Sequence, residues 1–129
     1  FKPLFGPKAE RTLQALIKVI KNSTSTASDS EIKSRTVASM NTFFEIDKWD
    51  FGATFFFSEL GAYLHEQLGD IISSVVLVPV DPQKSFGDLY EIRSEPDEIF
   101  VNAATVNDIE VIDALTSSQL RTSNNNGVQ

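Results

Sequence analysis

The sequence predicts an α+β fold: a small helix-strand-helix-strand core followed by a β-rich, partly extended C-terminal segment. Three observations carry this. Apolar residues recur at helical spacing behind a capping pattern at Ser28, and Ile71 to Val80 is a nearly unbroken run rich in β-branched residues. Short stretches after residue 88 alternate apolar with polar positions. A 3.6-residue apolar period marks a helix with one buried face, whereas alternation or a short β-branched run marks a strand. At 129 residues the chain has room for one core, and 41% apolar with 22% charged residues is ordinary globular usage.

The opening segment is ambiguous by pattern. Leu13, Leu16, Ile17 and Ile20 fit a helix face, while Leu13, Ala15, Ile17 and Val19 fit one face of a strand. Asn22 to Ser30 is small and polar and reads as a loop. Ser28 followed by Glu31 is a capping-box pattern, and Ile32, Val37, Met40, Phe43 and Phe44 behind it predict a helix over about 29–46. Asp47 to Gly52 reads as a turn carrying Trp49, and Thr54 to Phe57 as a short aromatic strand. Ser58 is placed to cap a second helix over about 59–68, with Leu60, Leu64 and Leu68 on one face and Gly69 at a left-handed C-terminal position.

Ile71 to Val80 is expected to be a strand covered on both faces, ended by the Asp81-Pro82 turn. Leu89 to Ile92, Glu98 to Val101 and Ile109 to Ile112 are candidate strands, separated by Glu95-Pro96-Asp97 and Asn107-Asp108. Thr116 to Gln129 has almost no apolar content and reads as a polar tail. The expected organisation is therefore a core module over 1–80 with a polar loop at 22–30, an acidic β-rich arm over 81–115, and a tail over 116–129. The chain opens on Phe1 rather than Met, which suggests a fragment or a processed product.

Charge and composition exclude several functions. A net charge of −7 argues against a phosphate-binding surface, so no nucleic-acid partner is expected. The run Ile71 to Val80, interrupted by Ser73 and Ser74, is about half the ~20 residues of a membrane-spanning helix, so no membrane partner is expected. Without cysteine and with His65 as the one histidine, the chain lacks the ligands for a zinc or non-haem iron site. No cofactor motif is present and no catalytic residue is assigned. The alternatives are a soluble α+β protein-interaction domain of another kind, or a small enzyme or ligand-binding domain using Glu95, Asp97 and Glu98 with His65, although Pro96 inside that group favours a solvated turn. Five basic residues against Glu10 make the first 22 residues positive, whereas nine acids against Lys84 and Arg93 make 81–113 negative. Ends of opposite sign suit the pairing of neighbouring molecules.

Residues 31–80 resemble the C-terminal module of baseplate wedge proteins of contractile-tailed phages, the baseplate-J-like family. The resemblance rests on Glu31-Ile32 opening a helix, the stretch Ile46 to Phe57 ending in aromatics, Ser58 to Leu60 starting a second helix, and Gly69-Asp70 before the hydrophobic strand Ile71 to Val80. It implies that Leu13 to Ile20 is a strand. It also implies a structural role without catalysis or cofactor, in which copies form homo-oligomers, expected to be dimers, and contact other baseplate proteins in the virion tail baseplate, after assembly in the host cytoplasm. Ten phenylalanines are many for this length, and consecutive aromatics on a strand must point to both sides. The residues expected at the interface are Phe55, Phe56, Phe57, Phe100, Val101, Ile109, Val111 and Ile112. On this reading, removal of 81–129 leaves a folded core that no longer assembles.

Overall fold

Buried and half-buried residues alternate along the opening segment, and that alternation resolves its ambiguity in favour of a strand. In the computed structural model, which describes residues 1–45, 49–81 and 89–112, Ala15, Ile17 and Val19 turn into the core while Leu16, Lys18 and Ile20 turn out. In chain order the elements are β1 (Lys2–Leu4), β2 (Ala15–Lys21), α1 (Asp29–Phe43), β3 (Thr54–Phe56), α2 (Phe57–Leu68), β4 (Ile72–Pro79), β5 (Glu91–Arg93), β6 (Phe100–Asn102) and β7 (Ile109–Ile112). Two helices and several strands in sheets make this an α+β fold.

The principal sheet has the order β4-β2-β7, with β4 antiparallel and β7 parallel to the central β2. Its inner face presents Ala15, Ile17, Val19, Ile72, Leu77 and Ile109 to the core. Helix α2 packs on β4, α1 packs on β7, and the two helices pack on each other. Two short pairs complete the architecture, β1 with β6 in parallel and β3 with β5 antiparallel.

Helix α1 begins where the capping pattern places it: the Ser28 hydroxyl accepts a hydrogen bond from the Glu31 N–H at 3.1 Å. Ile32, Thr36 and Met40, spaced by four, form its buried row. Thr36 is the one buried polar side chain among the described residues, and its hydroxyl donates to the Ile32 carbonyl at 2.7 Å. The C-terminal carbonyls of α1 need partners. Trp49 supplies one by donating its indole N–H to the Phe43 carbonyl at 2.8 Å, while its ring stacks on Phe44 at 5.4 Å. Around that end of the helix Phe5, Phe43, Phe44, Phe55 and Phe100 meet mainly edge-to-face, the geometry aromatic quadrupoles favour.

Several local expectations change. Helix α2 starts at Phe57 with Phe56 as N-cap, and no side chain caps it, so Ser58 is not the cap. The β3–β5 pairing ends at Phe56, and the Phe57 N–H donates to the Tyr90 carbonyl at 2.8 Å, which satisfies one of the helix's free donors without a cap. Gly69 is right-handed, not left-handed, and a Cβ there would press on the His65 carbonyl, so its small size serves a close approach. Among the described residues the left-handed positions are Gly52 and, against its steric preference, the fully buried Phe5 at φ 79°.

The largest change concerns residues 81–115, expected as an arm. Over its described residues this segment is built into the core, because β5, β6 and β7 each find their strand partner in residues 1–80. Each of these short strands buries an apolar side chain, Ile92, Phe100 or Ile109, by completing a sheet of its own chain, which extension into water would leave exposed. The expected tail over 116–129 and Pro82 of the expected turn lie outside the described residues, as do Ile46 at the end of the expected first helix and Asp47 and Lys48 of the expected 47–52 turn.

Candidate interaction surface

The residues expected at an interface divide according to strand period. Phe55, Phe57, Phe100 and Ile109 are buried in the chain's own core, so they are corrected from interface to core residues. On β3 the period of two sends Phe55 inward and leaves Phe56 exposed, and Phe57 already belongs to α2, whose buried face it joins. Val111 packs partly against the core opposite Val19. Val101 is half-buried beside a shallow groove of about 400 Å³ whose walls include Pro3, Pro7 and Lys8. Ile112 faces the opposite way from Val111 and belongs to a surface that sequence reasoning passed over.

That surface is the outer face of the principal sheet. Register places Leu16 beside Val78, Lys18 between Val76 and Glu110, and Ile20 between Ser74 and Ile112. Leu16, Ile20, Val76, Val78 and Ile112 are half-buried by one another, and none of them belongs to the core. Among the described residues no helix or strand covers this face, because both helices lie on the inner one. A pair of opposite charges, Lys18 and Glu110, spans it at 3.8 Å. Solvated sheet faces ordinarily read as polar, whereas aliphatic residues on both faces of a strand mark a sheet covered twice. Among the described residues the expectation that Ile71 to Val80 is covered on both faces is thus met on one side only, and the aliphatic composition of the other side suits a covering partner.

The groups of the enzymatic alternative are not assembled. His65 stands exposed on α2, and Glu95 and Asp97 are exposed on a turn attached to other elements. Glu98 holds that turn: its carboxylate accepts from the Glu95 N–H at 2.8 Å and from the Lys2 ammonium at 3.4 Å. The Glu98 and Ile99 carbonyls in turn accept from the Gly52 and Lys2 N–H groups. The Glu95 N–H, and after it the Lys2 charge, hold the Glu98 carboxyl below the usual carboxylate range. A carboxyl whose pKa is depressed by folding adds stability above its unfolded pKa and loses it as pH falls through the folded value. Glu98→Gln is therefore expected to be less stable than the parent near neutral pH, with the difference closing in acid; thermal melts across pH check this, and a gap that persists in acid would contradict the role. Among the described residues no group of three or more histidine and carboxylate side chains converges, and no helix is long and apolar enough to cross a membrane.

Comparison of the chain with models of known protein families finds no match, and comparison with curated proteins finds none either.

Proposed function

We propose that the chain is a structural component of a contractile-tail baseplate wedge in a phage virion, acting through self-association and contacts with neighbouring wedge proteins, assembled in the host cytoplasm. The observation that carries this reading is the outer face of the β4-β2-β7 sheet: five aliphatic side chains on three adjacent strands, uncovered among the described residues. The resemblance of residues 31–80 to baseplate wedge modules supplies the setting. A packed scaffold with one apolar face suits assembly, in which binding energy comes from burying that face and specificity from the charged pair within it. No reaction and no cofactor enter this function.

Leu16→Glu together with Val78→Glu tests it. Both side chains point away from the core, so the variant is expected to keep its circular dichroism spectrum and its cooperative melt. Co-expressed with the other baseplate wedge proteins, it should fail to enter wedges that the parent chain enters, as read by sedimentation and electron microscopy. Normal incorporation of the folded variant would remove the outer face from the interface, and failure of the parent chain to join any baseplate complex would end the reading.

A further inference from the structure

Strand β4 is an edge strand that does little to discourage pairing. It runs for eight residues, Ile72–Pro79, on one border of the principal sheet, and no described strand lies beyond it. Edge strands are ordinarily kept from pairing by charge, proline or brevity. This one carries no charged residue, and its single proline stands at the last position. The opposite border, β7, carries Glu110.

The direction of the free backbone groups follows from one hydrogen bond. The Val80 N–H donates to the Gln14 carbonyl at 3.1 Å, toward β2. In an antiparallel pair successive residues turn their amide groups alternately toward and away from the partner. Ser74, Val76 and Val78 therefore face β2, and Val75, Leu77 and Pro79 turn their backbone groups outward. Pro79 has no N–H, so it takes an outward position without losing a ladder bond.

We infer that β4 pairs antiparallel with β4 of a second copy about a two-fold axis at Val76, joining two three-stranded sheets into one of six. The inference rests on the self-association in the proposed function and names its surface. An antiparallel pair of identical strands is two-fold symmetric, the closed arrangement in which both copies use the same residues. Val75 then exchanges both of its backbone hydrogen bonds with Leu77 of the second copy, and Leu77 with Val75. Val76 meets Val76 across the axis as a non-hydrogen-bonded pair, and Ser74 meets Val78. Both are uncharged pairings, and the first is β-branched on both sides. Proline's missing donor falls at the ends of the ladder, opposite Ser73, where a bulge already interrupts the pairing with β2. The two outer faces become one continuous aliphatic platform, twice the width of either alone. An edge about 26 Å long and about 10 Å deep covers roughly a third of the ~800 Å² per partner of a standard interface. The dimer is therefore weak and concentration-dependent.

The cysteine-free chain makes the test direct. Val76→Cys places one thiol at the axis, where paired Cα atoms lie about 4.5 Å apart, inside the range a disulfide spans. With oxidised glutathione, concentrated Val76→Cys protein is expected to become a disulfide-linked dimer, while Leu16→Cys, on the central strand of the same face, stays monomeric. Val76→Glu, which opposes two like charges at the axis while standing opposite Lys18 within its own chain, should weaken the sedimentation-measured dimer of the parent chain about fivefold without lowering its melt. Linking through Leu16→Cys and not Val76→Cys would mean that the sheets stack face to face, overturning edge pairing while leaving self-association intact. A parent chain monomeric at every concentration, with neither variant linked, would overturn both.

Discussion

A chain ending at residue 80 is expected to be unfolded. Residues 81–129 contribute Leu89, Ile92, Ile99, Phe100, Ala104 and Ile109 to the buried core, and with them all of β5, β6 and β7. At about 1.5–3 kcal/mol for each large side chain removed from burial, the loss is roughly 10 kcal/mol. That is as large as the whole stability of a typical domain, about 5–15 kcal/mol. The truncation also exposes the second edge of β2, turning the central strand of the sheet into a border. Circular dichroism and a thermal melt of residues 1–80 should show no cooperative transition. A cooperative melt would establish 1–80 as an independent module and reinstate the division into core and arm. Assembly defects in such a truncation therefore say nothing about an interface, because the fold is lost first.

Gly6→Ala is expected to be more damaging than alanine at any other described glycine. A Cβ at Gly6 would overlap the carbonyl group of Ala103, backbone against side chain with no rotamer to relieve it. The neighbourhood cannot easily shift. Phe5, immediately before, holds a left-handed φ of 79° with its ring fully buried against Phe44 and Phe55. The Leu4 carbonyl accepts from the Ala103 N–H at 3.0 Å, closing the β1–β6 pair at the same point. Overpacking costs of about 1–3 kcal/mol assume neighbours that can move; here the cost is expected at ~3 kcal/mol or above, a fall in melting temperature on the order of 10 °C for a chain of this size. Differential scanning calorimetry of the full chain measures it, and a loss below about 1 kcal/mol would show that β1 separates from β6 at little cost.

The sequence alone was sufficient for elements whose cause is local. The Ser28 cap and the apolar positions Ile32 and Met40 define α1 through interactions within a few residues, and Leu60, Leu64 and Leu68 mark the buried face of α2 in the same way. The long β-branched run was legible as β4 because only an extended chain accommodates that crowding comfortably. Short-range signals misled where a distant partner competed. Ser58 looks like a cap until the Tyr90 carbonyl, over thirty residues away, accepts from the Phe57 N–H at the first position of a helix that begins before Ser58.

What only the tertiary structure decided is which side of each strand is inside and which strands are neighbours. Phe55, Phe100 and Ile109 are as apolar as any interface residue, and nothing in their local sequence separates an own-chain core from a partner's. The distinction comes from β7 lying parallel beside β2 and β6 beside β1, pairings across some ninety residues set by the summed burial of the whole chain. The same register turned Leu16, Ile20, Val76, Val78 and Ile112 into one outer face, although they lie on three separate segments of the sequence. Hydrophobicity is a property of each residue, but a surface is a property of their arrangement, and only the sheet brings these five together.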